Sequence, residues 1–200
     1  KISNFYETEF SNVGRSVHTL AVKATNRFEA TRDKVQKYLN AKHREEIIFT
    51  KGATEAINLV ASSYGKKYIK KGDEVLITEL EHHSNYVPWN YLRTDKGAVI
   101  KFAQVNKNGD VEIEEIKKLI TNKTKIIAIT HISNVTGAIL PIAKIVDLAK
   151  EKNIPVLIDG TQGAPHSEID MQKIGCDFYA ISCHKMYGPN GLGILYMKKK

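Results

Sequence analysis

Two charged side chains follow apolar runs, at points where a buried strand would end. Lys185 lies beside His184 in the stretch SCHKMYGP, which overlaps the end of the apolar run CDFYAISC, and Asp159 closes the apolar run IPVLIDG. A lysine amine can bond covalently to a carbonyl carbon, and a buried carboxylate requires a cation or hydrogen-bond donors. The alternatives are a surface charge at a turn for Lys185 and a helix cap for Asp159.

Three further polar residues follow apolar runs. His82 comes after DEVLITEL, Asn134 comes after TKIIAITHIS, and Gln162 lies three residues beyond Asp159. An imidazole at a strand end can bind a metal, transfer a proton or lie flat on the ring of a ligand. An ordinary loop histidine remains the alternative for His82, and an ordinary turn residue is the alternative for Asn134.

Two segments of the chain predict an anion site. Ala53 and Thr54 open a helical pattern after the run EIIFT and Gly52. The first N–H groups of a helix attract anions, and the Thr54 hydroxyl adds a donor, although an ordinary helix start would look the same. Ser182 and His184 are two residues apart at a strand end. We therefore expect them to point the same way and Cys183 to point the opposite way.

The elements that must position these residues alternate between strand and helix. Apolar runs such as IPVLIDG predict strands buried on both faces, whereas residues 20–39 repeat apolar side chains at helical spacing. Pro88 and Pro141 are expected in the first turns of two helices. This alternation predicts one α/β domain with a mostly parallel sheet covered on both sides, whose ligand lies at the carboxyl ends of the strands.

The composition excludes several classes of protein. Of the 200 residues, 42% are hydrophobic and 26% are charged, and no apolar run approaches the roughly 20 residues of a membrane span. The formal net charge is +8, but the lysines are scattered, so neither nucleic acid nor a membrane is a predicted partner.

The two cysteines predict neither a disulfide nor a metal site. Cys176 and Cys183 are seven residues apart in what reads as one strand, so they would face opposite sides. Neither belongs to a CxxC pair, and the histidines show no metal-binding spacing, so no metal is predicted. Free thiols fit a reduced setting, and we expect a cytoplasmic location, with an organelle as the alternative.

Taken together, the candidate residues predict one cofactor. Phosphate donors, an acid for a ring nitrogen, a stacking imidazole and a lysine that bonds to an aldehyde are what pyridoxal 5'-phosphate requires. No G-x-G-x-x-G turn follows a predicted strand, which counts against a dinucleotide.

These segments resemble the cysteine desulfurases of the class V aminotransferase superfamily, in particular the SufS-like branch. The resemblance rests on SNVGRSVHTL, EEIIFTKGATEAINLVA, GDEVLITELEHHSNYVPW, ITHISNVTGAILP, LIDGTQGAPH and CDFYAISCHKMYGPNGLGILY. It runs along nearly the whole chain, and ELEHHSNYVPW and S-x-H-K-x-Y-G-P are its most specific parts.

The resemblance implies a role for each candidate residue. Lys185 would bond to the cofactor covalently, and His82 would stack on its ring and move a proton as a second catalytic residue. Asp159 would pair with the ring nitrogen, Gln162 would hydrogen-bond to the phenolic oxygen, and Asn134 would lie beside the ring. The phosphate would be held by four residues, Ala53, Thr54, Ser182 and His184.

The resemblance also implies a fold and a domain plan. The expected fold is the three-layer α/β/α large domain of type I pyridoxal phosphate enzymes, with a mixed, mostly parallel sheet. Residues 1–200 would form this cofactor-binding domain, and residues 1–20 would line the active site. We expect the C-terminal small domain, with its sulfur-accepting cysteine and its arginine for the substrate carboxylate, to be absent from this chain.

The implied reaction converts L-cysteine to L-alanine and leaves a persulfide sulfur for iron–sulfur cluster assembly. The implied partners are a second copy of the chain, in a homodimer, and a sulfur-acceptor protein of the SufE or SufU type. The alternatives are a selenocysteine lyase, another class V lyase or aminotransferase, and a domain that binds the cofactor but catalyses nothing by itself.

Two departures from the family pattern affect these expectations. Gly14 stands where the branch often has a pocket histidine, which questions substrate contact from the N-terminal segment. Cys176 and Cys183 do not match the family's sulfur-accepting cysteine, and we assign that role to neither.

Overall fold

The computed structural model describes residues 2–14 and 17–199, which form a three-layer α/β/α structure around one seven-stranded sheet. The strands are β1 (Ile47–Thr50), β2 (Glu74–Thr78), β3 (Val99–Ala103), β4 (Thr124–Thr130), β5 (Val156–Asp159), β6 (Phe178–Ser182) and β7 (Gly193–Met197). Their order across the sheet is β1-β7-β6-β5-β4-β2-β3.

The helices cover both faces of this sheet. They are α1 (Ile2–Thr8), α2 (Thr19–Tyr38), α3 (Ala53–Val60), α4 (Lys66–Tyr68), α5 (Val87–Lys96), α6 (Ile113–Leu119), α7 (Ile142–Glu151), α8 (Gly163–His166) and α9 (Met171–Ile174). A π-helical turn, Ala61–Gly65, links α3 to α4, and 3₁₀ turns lie at Arg44–Glu46, His83–Asn85 and Cys183–Met186. Among residues 2–14 and 17–199, no helix has both the length and the apolar content needed to cross a bilayer.

The sheet is mixed and mostly parallel, which confirms the predicted fold class. Strands β3, β2, β4, β5 and β6 pair in parallel, whereas β7 runs antiparallel to both β6 and β1. Strand β1 therefore runs in the same direction as the parallel strands. The carboxyl ends of β1, β2, β4, β5 and β6 all reach the same edge of the sheet.

Burial on both faces explains why the strand segments are apolar at consecutive positions. In β4, Ile127 and Ile129 pack into the cluster beneath α6 and α7. Their neighbours Ile126 and Ala128 belong to the opposite cluster, which contains Trp89 of α5. Successive side chains of a strand point to opposite faces, so a central strand with two covered faces is apolar throughout.

The predicted elements agree with the structure, and the differences lie in short turns. Pro88 occupies the first turn of α5, as predicted, whereas Pro141 lies one residue before the first residue of α7. The run CDFYAISC is a strand only to Ser182, because a 3₁₀ turn begins at Cys183. Helices α1, α4, α8 and α9 were not predicted, since they have seven, three, four and four residues and show too few turns for a helical period.

Helix α7 provides a test of the three-layer arrangement. Ile145 is fully buried against the sheet, whereas the adjacent Lys144 is exposed. We expect Ile145→Ala to lower the free energy of unfolding by about 2–5 kcal/mol, because it removes a packed side chain and leaves a cavity. Lys144→Ala should change it by less than about 0.5 kcal/mol. Urea denaturation of both variants measures the difference, and equal effects would contradict the packing described.

Candidate functional site

The carboxyl edge of the sheet carries a cavity of about 310 Å³ that brings all the predicted site residues together. Its walls include Ala53, Thr54, His82, Asn134, Asp159, Gln162, Ser182, His184 and Lys185. Four more residues line it that sequence reasoning missed, Ser84, Thr130, Ile132 and Thr161. The nine predicted residues come from segments up to 132 positions apart, from Ala53 to Lys185, so the sheet topology is what assembles them.

The strand register explains why these segments converge. Thr130 at the end of β4 pairs with Asp159 at the end of β5, and Asp159 pairs with Ala180 in β6. Strands β4 and β5 therefore end at the same level, and β6 ends two residues further on, at Ser182. The segments that follow them are therefore neighbours in space.

The start of α3 and the end of β6 meet through one hydrogen bond. The backbone N–H of Ala53 donates to the Ser182 hydroxyl oxygen at 2.8 Å, and both groups are buried. Because this oxygen accepts from Ala53, the hydroxyl proton of Ser182 is free to donate elsewhere. The helix start and this hydroxyl form a donor-rich wall, with the Thr54 side chain beside it.

One step of the sequence reasoning about this wall is wrong. Strand alternation was expected to point Ser182 and His184 the same way, but β6 ends at Ser182 and the next four residues form a 3₁₀ turn. Both side chains line the cavity nevertheless, because the turn brings His184 and Lys185 to its rim. Cys183 is buried in the core beneath this turn.

Asp159 is a buried carboxylate without an ionic partner. It is 4% exposed, and its Oδ1 accepts the backbone N–H of Thr161 at 3.0 Å. None of the ion pairs among the described residues involves Asp159. Burial raises the pKa of Asp159, and Thr161 and the charge of His82 only partly oppose the rise. Asp159 is not a helix cap either, because the N-cap position of α8 is occupied by Gln162.

His82 is held by its neighbour Ser84 in a defined tautomer. The backbone N–H of Ser84 donates to Nδ1 of His82 at 3.2 Å, and the Ser84 hydroxyl lies 2.7 Å from the same nitrogen. A ring nitrogen that accepts a backbone N–H carries no proton. In neutral His82 the proton is therefore on Nε2.

Lys185 is exposed at the rim of the cavity, in the 3₁₀ turn that follows β6. The turn is closed by the N–H of Gly188, which donates to the carbonyl of Cys183 at 2.9 Å. Tyr187, in the left-handed region with φ 59°, ends the turn. The amine is therefore carried by a short, backbone-bonded turn.

Glu81 is a functional candidate that sequence reasoning missed. Its carboxylate accepts hydrogen bonds from the Thr78 hydroxyl at 2.6 Å, the Asn85 amide at 2.6 Å and the Thr130 N–H at 2.9 Å. Burial raises the pKa of Glu81 to about 7, and the charge of Asp159 adds to the rise. The available signal was a carboxylate beside His82, directly after an apolar strand.

His131 and Tyr179, which were also not predicted, form a buried pair that supports the turn after β5. Nδ1 of His131 lies 2.8 Å from the Tyr179 hydroxyl, and both side chains are buried. A methyl group at Gly160 would lie 1.8 Å from the Tyr179 ring, and one at Gly163 would lie 2.1 Å from the His131 ring. The two glycines allow the chain around Gln162 to approach these rings.

The remaining predictions concern the N-terminal segment and metals. Arg15 and Ser16 lie outside the described residues, and the N–H of Gly14 donates to Thr25 Oγ1 at 3.0 Å. The role of residues 1–20 at the site stays a prediction. Within the described part of the chain, no three His, Cys, Asp or Glu side chains are grouped as a metal site would require.

The sequence and the fold are similar to those of known proteins. A probable cysteine desulfurase of Halalkalibacterium halodurans is 48% identical over 99% of this chain and 49% of the relative. A cysteine desulfurase of Yersinia pseudotuberculosis is 46% identical over 98% of this chain and 48% of the relative. The apo structure of a cysteine desulfurase from Thermococcus onnurineus has a TM-score of 0.93 at 35% identity, covering 99% of this chain and 49% of that one.

The chain folds as a three-layer α/β domain with a cavity at the carboxyl ends of its parallel strands. The class V aminotransferase family matches residues 1–200, and the chain belongs to that family. It spans about half the length of the two curated relatives.

Ser182→Ala tests the bond between α3 and β6. The change leaves the buried Ala53 N–H without its acceptor, so we expect the free energy of unfolding to fall by about 1–3 kcal/mol. Ser63→Ala is the control, since the Ser63 hydroxyl is exposed and bonds only within its own helical turn. Urea denaturation compares the two, and no loss in Ser182→Ala would mean that this bond contributes nothing to stability.

The raised pKa of Glu81 predicts a pH-dependent stability. The pKa is about 7 in the folded protein against an ordinary value of 4.5, so between these values the folded state holds one more proton than the unfolded state. The free energy of unfolding should therefore fall by up to about 3 kcal/mol as the pH rises from 4.5 to 7, and level off above pH 7.

Urea denaturation across this pH range measures the fall, with Glu81→Gln as the variant that should lack it. Asp159 titrates in both proteins, so the difference between the two profiles reports Glu81 together with its charge interaction with Asp159. Glu79→Gln removes an exposed carboxylate two residues away and should keep the fall. A pH profile that is the same in Glu81→Gln and in the unaltered protein would show that Glu81 is not the group responsible.

Proposed function

We propose that the full-length protein is a pyridoxal 5'-phosphate-dependent cysteine desulfurase that converts L-cysteine to L-alanine. The observation that carries the proposal is that Lys185, Asp159 and the donor-rich start of α3 surround one cavity. The similarity to cysteine desulfurases over the whole chain supports the same reaction.

The residues present fit the cofactor at its anionic end. The Ser182 hydroxyl has a proton to donate, and Thr54, His184 and the start of α3 lie around it. A phosphate binds well where a helix start and hydroxyl donors converge. We infer that Ala53, Thr54, Ser182 and His184 hold the phosphate.

The residues also fit a protonated aromatic ring. The buried Asp159 carboxylate needs a cation, and a protonated ring nitrogen would supply one. Thr161 lines the cavity together with Asp159, and its buried Oγ1 has no hydrogen-bond partner among the described residues. This hydroxyl is therefore available to a ligand. We infer that Asp159 holds the proton on the ring nitrogen, that His82 stacks on the ring and that Gln162 hydrogen-bonds to its phenolic oxygen.

When bound, pyridoxal phosphate supplies a ring that accepts the electrons of a breaking Cα–H bond. Lys185 would hold the cofactor covalently through its amine, and once the amino group of the substrate has displaced it, the freed amine would take the Cα proton of the bound amino acid. His82, with its proton on Nε2, is the second group in the cavity that moves a proton. Asn134, at the rim, orients the substrate.

Neither cysteine of the chain is suited to accept the sulfur. Burial raises the pKa of both thiols, and both pack in the hydrophobic core. A sulfur acceptor must be an accessible thiolate. We infer that the accepting cysteine and the group that binds the substrate carboxylate belong to the part of the relatives that this chain does not span.

The proposal extends to the partners of the full-length protein. It acts as a homodimer and passes a persulfide sulfur to a protein of the SufE or SufU type for iron–sulfur cluster assembly. The reaction is proposed for the cytoplasm, because the two free thiols fit a reducing compartment.

The proposed activity is tested by incubating the full-length protein with pyridoxal phosphate, L-cysteine and a thiol reductant, and measuring alanine and sulfide. Equal amounts of alanine and sulfide are expected. L-selenocysteine is tested in parallel, and turnover of selenocysteine alone would identify a selenocysteine lyase. Failure to release alanine from either substrate would refute the proposed reaction.

The covalent role of Lys185 is tested by borohydride reduction of the cofactor-loaded protein, followed by peptide mass spectrometry. We expect the added mass on the peptide that contains Lys185, because reduction fixes the bond between its amine and the cofactor. Lys185→Ala should abolish the labelling and lower turnover by at least about a thousandfold. Lys144→Ala is the control and should be labelled normally. Labelling at another lysine would contradict the assignment.

A further inference from the structure

The side chain of Glu81 forms hydrogen bonds to both ends of the segment that carries His82, residues 78–85. Glu81 binds the Thr78 hydroxyl through Oε1 and the Asn85 amide through Oε2, each at 2.6 Å. Thr78 is the last residue of β2, and Asn85 is the last residue of the 3₁₀ turn His83–Asn85. The Glu81 carboxylate therefore closes a loop that contains His82.

The same carboxylate attaches this loop to the neighbouring strand. Oε1 of Glu81 accepts the N–H of Thr130 at 2.9 Å. The ladder between β2 and β4 ends at the pair Leu76–Ile127, three residues before Thr130. Glu81 thus provides the acceptor on the side where β2 no longer pairs with β4, and Thr130 itself lines the cavity.

The hydrogen-bond network requires an acceptor at position 81. Trp89 Nε1 can only donate, and it donates to Asn85 Oδ1 at 3.1 Å, so the Asn85 amide group must point its N–H bonds at Glu81. The Thr78 hydroxyl oxygen accepts the N–H of Leu80, so its proton also points at Glu81. With the Thr130 N–H, three donors converge on one carboxylate.

We propose that Glu81 is a positioning residue that fixes His82 at the cavity by holding both ends of its loop and anchoring the loop to β4. This inference rests on the proposed function, in which His82 stacks on the bound cofactor. Ser84 orients the imidazole ring within the loop, whereas Glu81 sets where the loop lies.

The polarity of the network provides a reciprocal test. Glu81→Gln directs an amide N–H group at the Asn85 amide, so two donors face each other. Asn85→Asp places two carboxylates in contact. The double variant Glu81→Gln/Asn85→Asp restores one donor and one acceptor, because the amide introduced at 81 donates to the carboxylate introduced at 85. That carboxylate still accepts from Trp89, and the net charge equals that of the unaltered protein.

The variants are made in the full-length protein and titrated with pyridoxal phosphate at pH 8.5, where the carboxylate of Glu81 is ionised. We expect Glu81→Gln to weaken cofactor binding by about tenfold or more, since a misplaced buried donor costs that much affinity. The double variant should recover to within about twofold of the unaltered protein. Glu79→Gln, the matched control, removes an exposed charge whose acceptor oxygen glutamine retains, and should also stay within about twofold.

Action through His82 is tested by repeating Glu81→Gln in a His82→Ala background. If Glu81 acts by placing His82, the second change should weaken binding by less than about twofold once the imidazole is gone. A general loss of structure would reduce affinity equally in both backgrounds, and that result would overturn the proposal.

Hydrogen–deuterium exchange of the peptide covering residues 79–86 tests the loop without any cofactor. Exchange should be faster in Glu81→Gln and return to normal in the double variant. Unchanged exchange in Glu81→Gln, or a double variant that does not fold, would overturn the proposal. If the unaltered protein fails to bind pyridoxal phosphate, the proposed function fails, but the exchange result still decides whether Glu81 holds the loop.

Discussion

Thr130 pairs with Asp159, and Asp159 pairs with Ala180, so β4 and β5 end at the same level and β6 ends two residues further on, at Ser182. This register turns residues that are far apart in sequence into neighbours around one cavity. A slip of one residue in β5 would turn the Asp159 side chain to the opposite face of the sheet. The register is strongly specified, because both faces of the strands are packed into hydrophobic clusters.

Two carboxyl groups lie close to the ends of these strands, Asp159 at the buried end of β5 and the half-buried Glu81 beyond the end of β2. Asp159 accepts a backbone N–H and has no ionic partner among the described residues, whereas Glu81 accepts three hydrogen bonds. Burial raises the pKa of each carboxyl group. Glu81 is satisfied by the protein itself, but Asp159 is satisfied only in part. This difference supports a role for Glu81 in holding the protein structure and a role for Asp159 in contacting a ligand.

The fold and most of the cavity could be predicted because their signals are local. A strand such as IPVLID is apolar at every position, and the residue that closes it lies at the edge where parallel strands end. Asp159 and Lys185 were therefore found from their own neighbours in sequence. Glu81 was not, since its role depends on Thr130, a residue 49 positions away, which only the paired strands bring close.

The turn after β6 shows a different limit of sequence reasoning. Alternation along a strand predicts side-chain direction only while the strand continues, and β6 stops at Ser182 without a glycine or proline at the break. The packing of Cys183 into the core was predicted correctly. The reason given for it, alternation along a strand, was wrong, because a 3₁₀ turn orients the Cys183 side chain.

That turn also separates the two residues of this segment that could act as nucleophiles. Cys183 is 9% exposed and burial raises the pKa of its thiol, whereas Lys185, two residues later, is exposed at the cavity rim. The Gly188 N–H bond to the Cys183 carbonyl closes the turn around both. A methyl group at Gly188 would lie 3.0 Å from that carbonyl oxygen, so a glycine there lets the turn close tightly. The backbone that presents the Lys185 amine to the cavity thus keeps the adjacent thiol out of it.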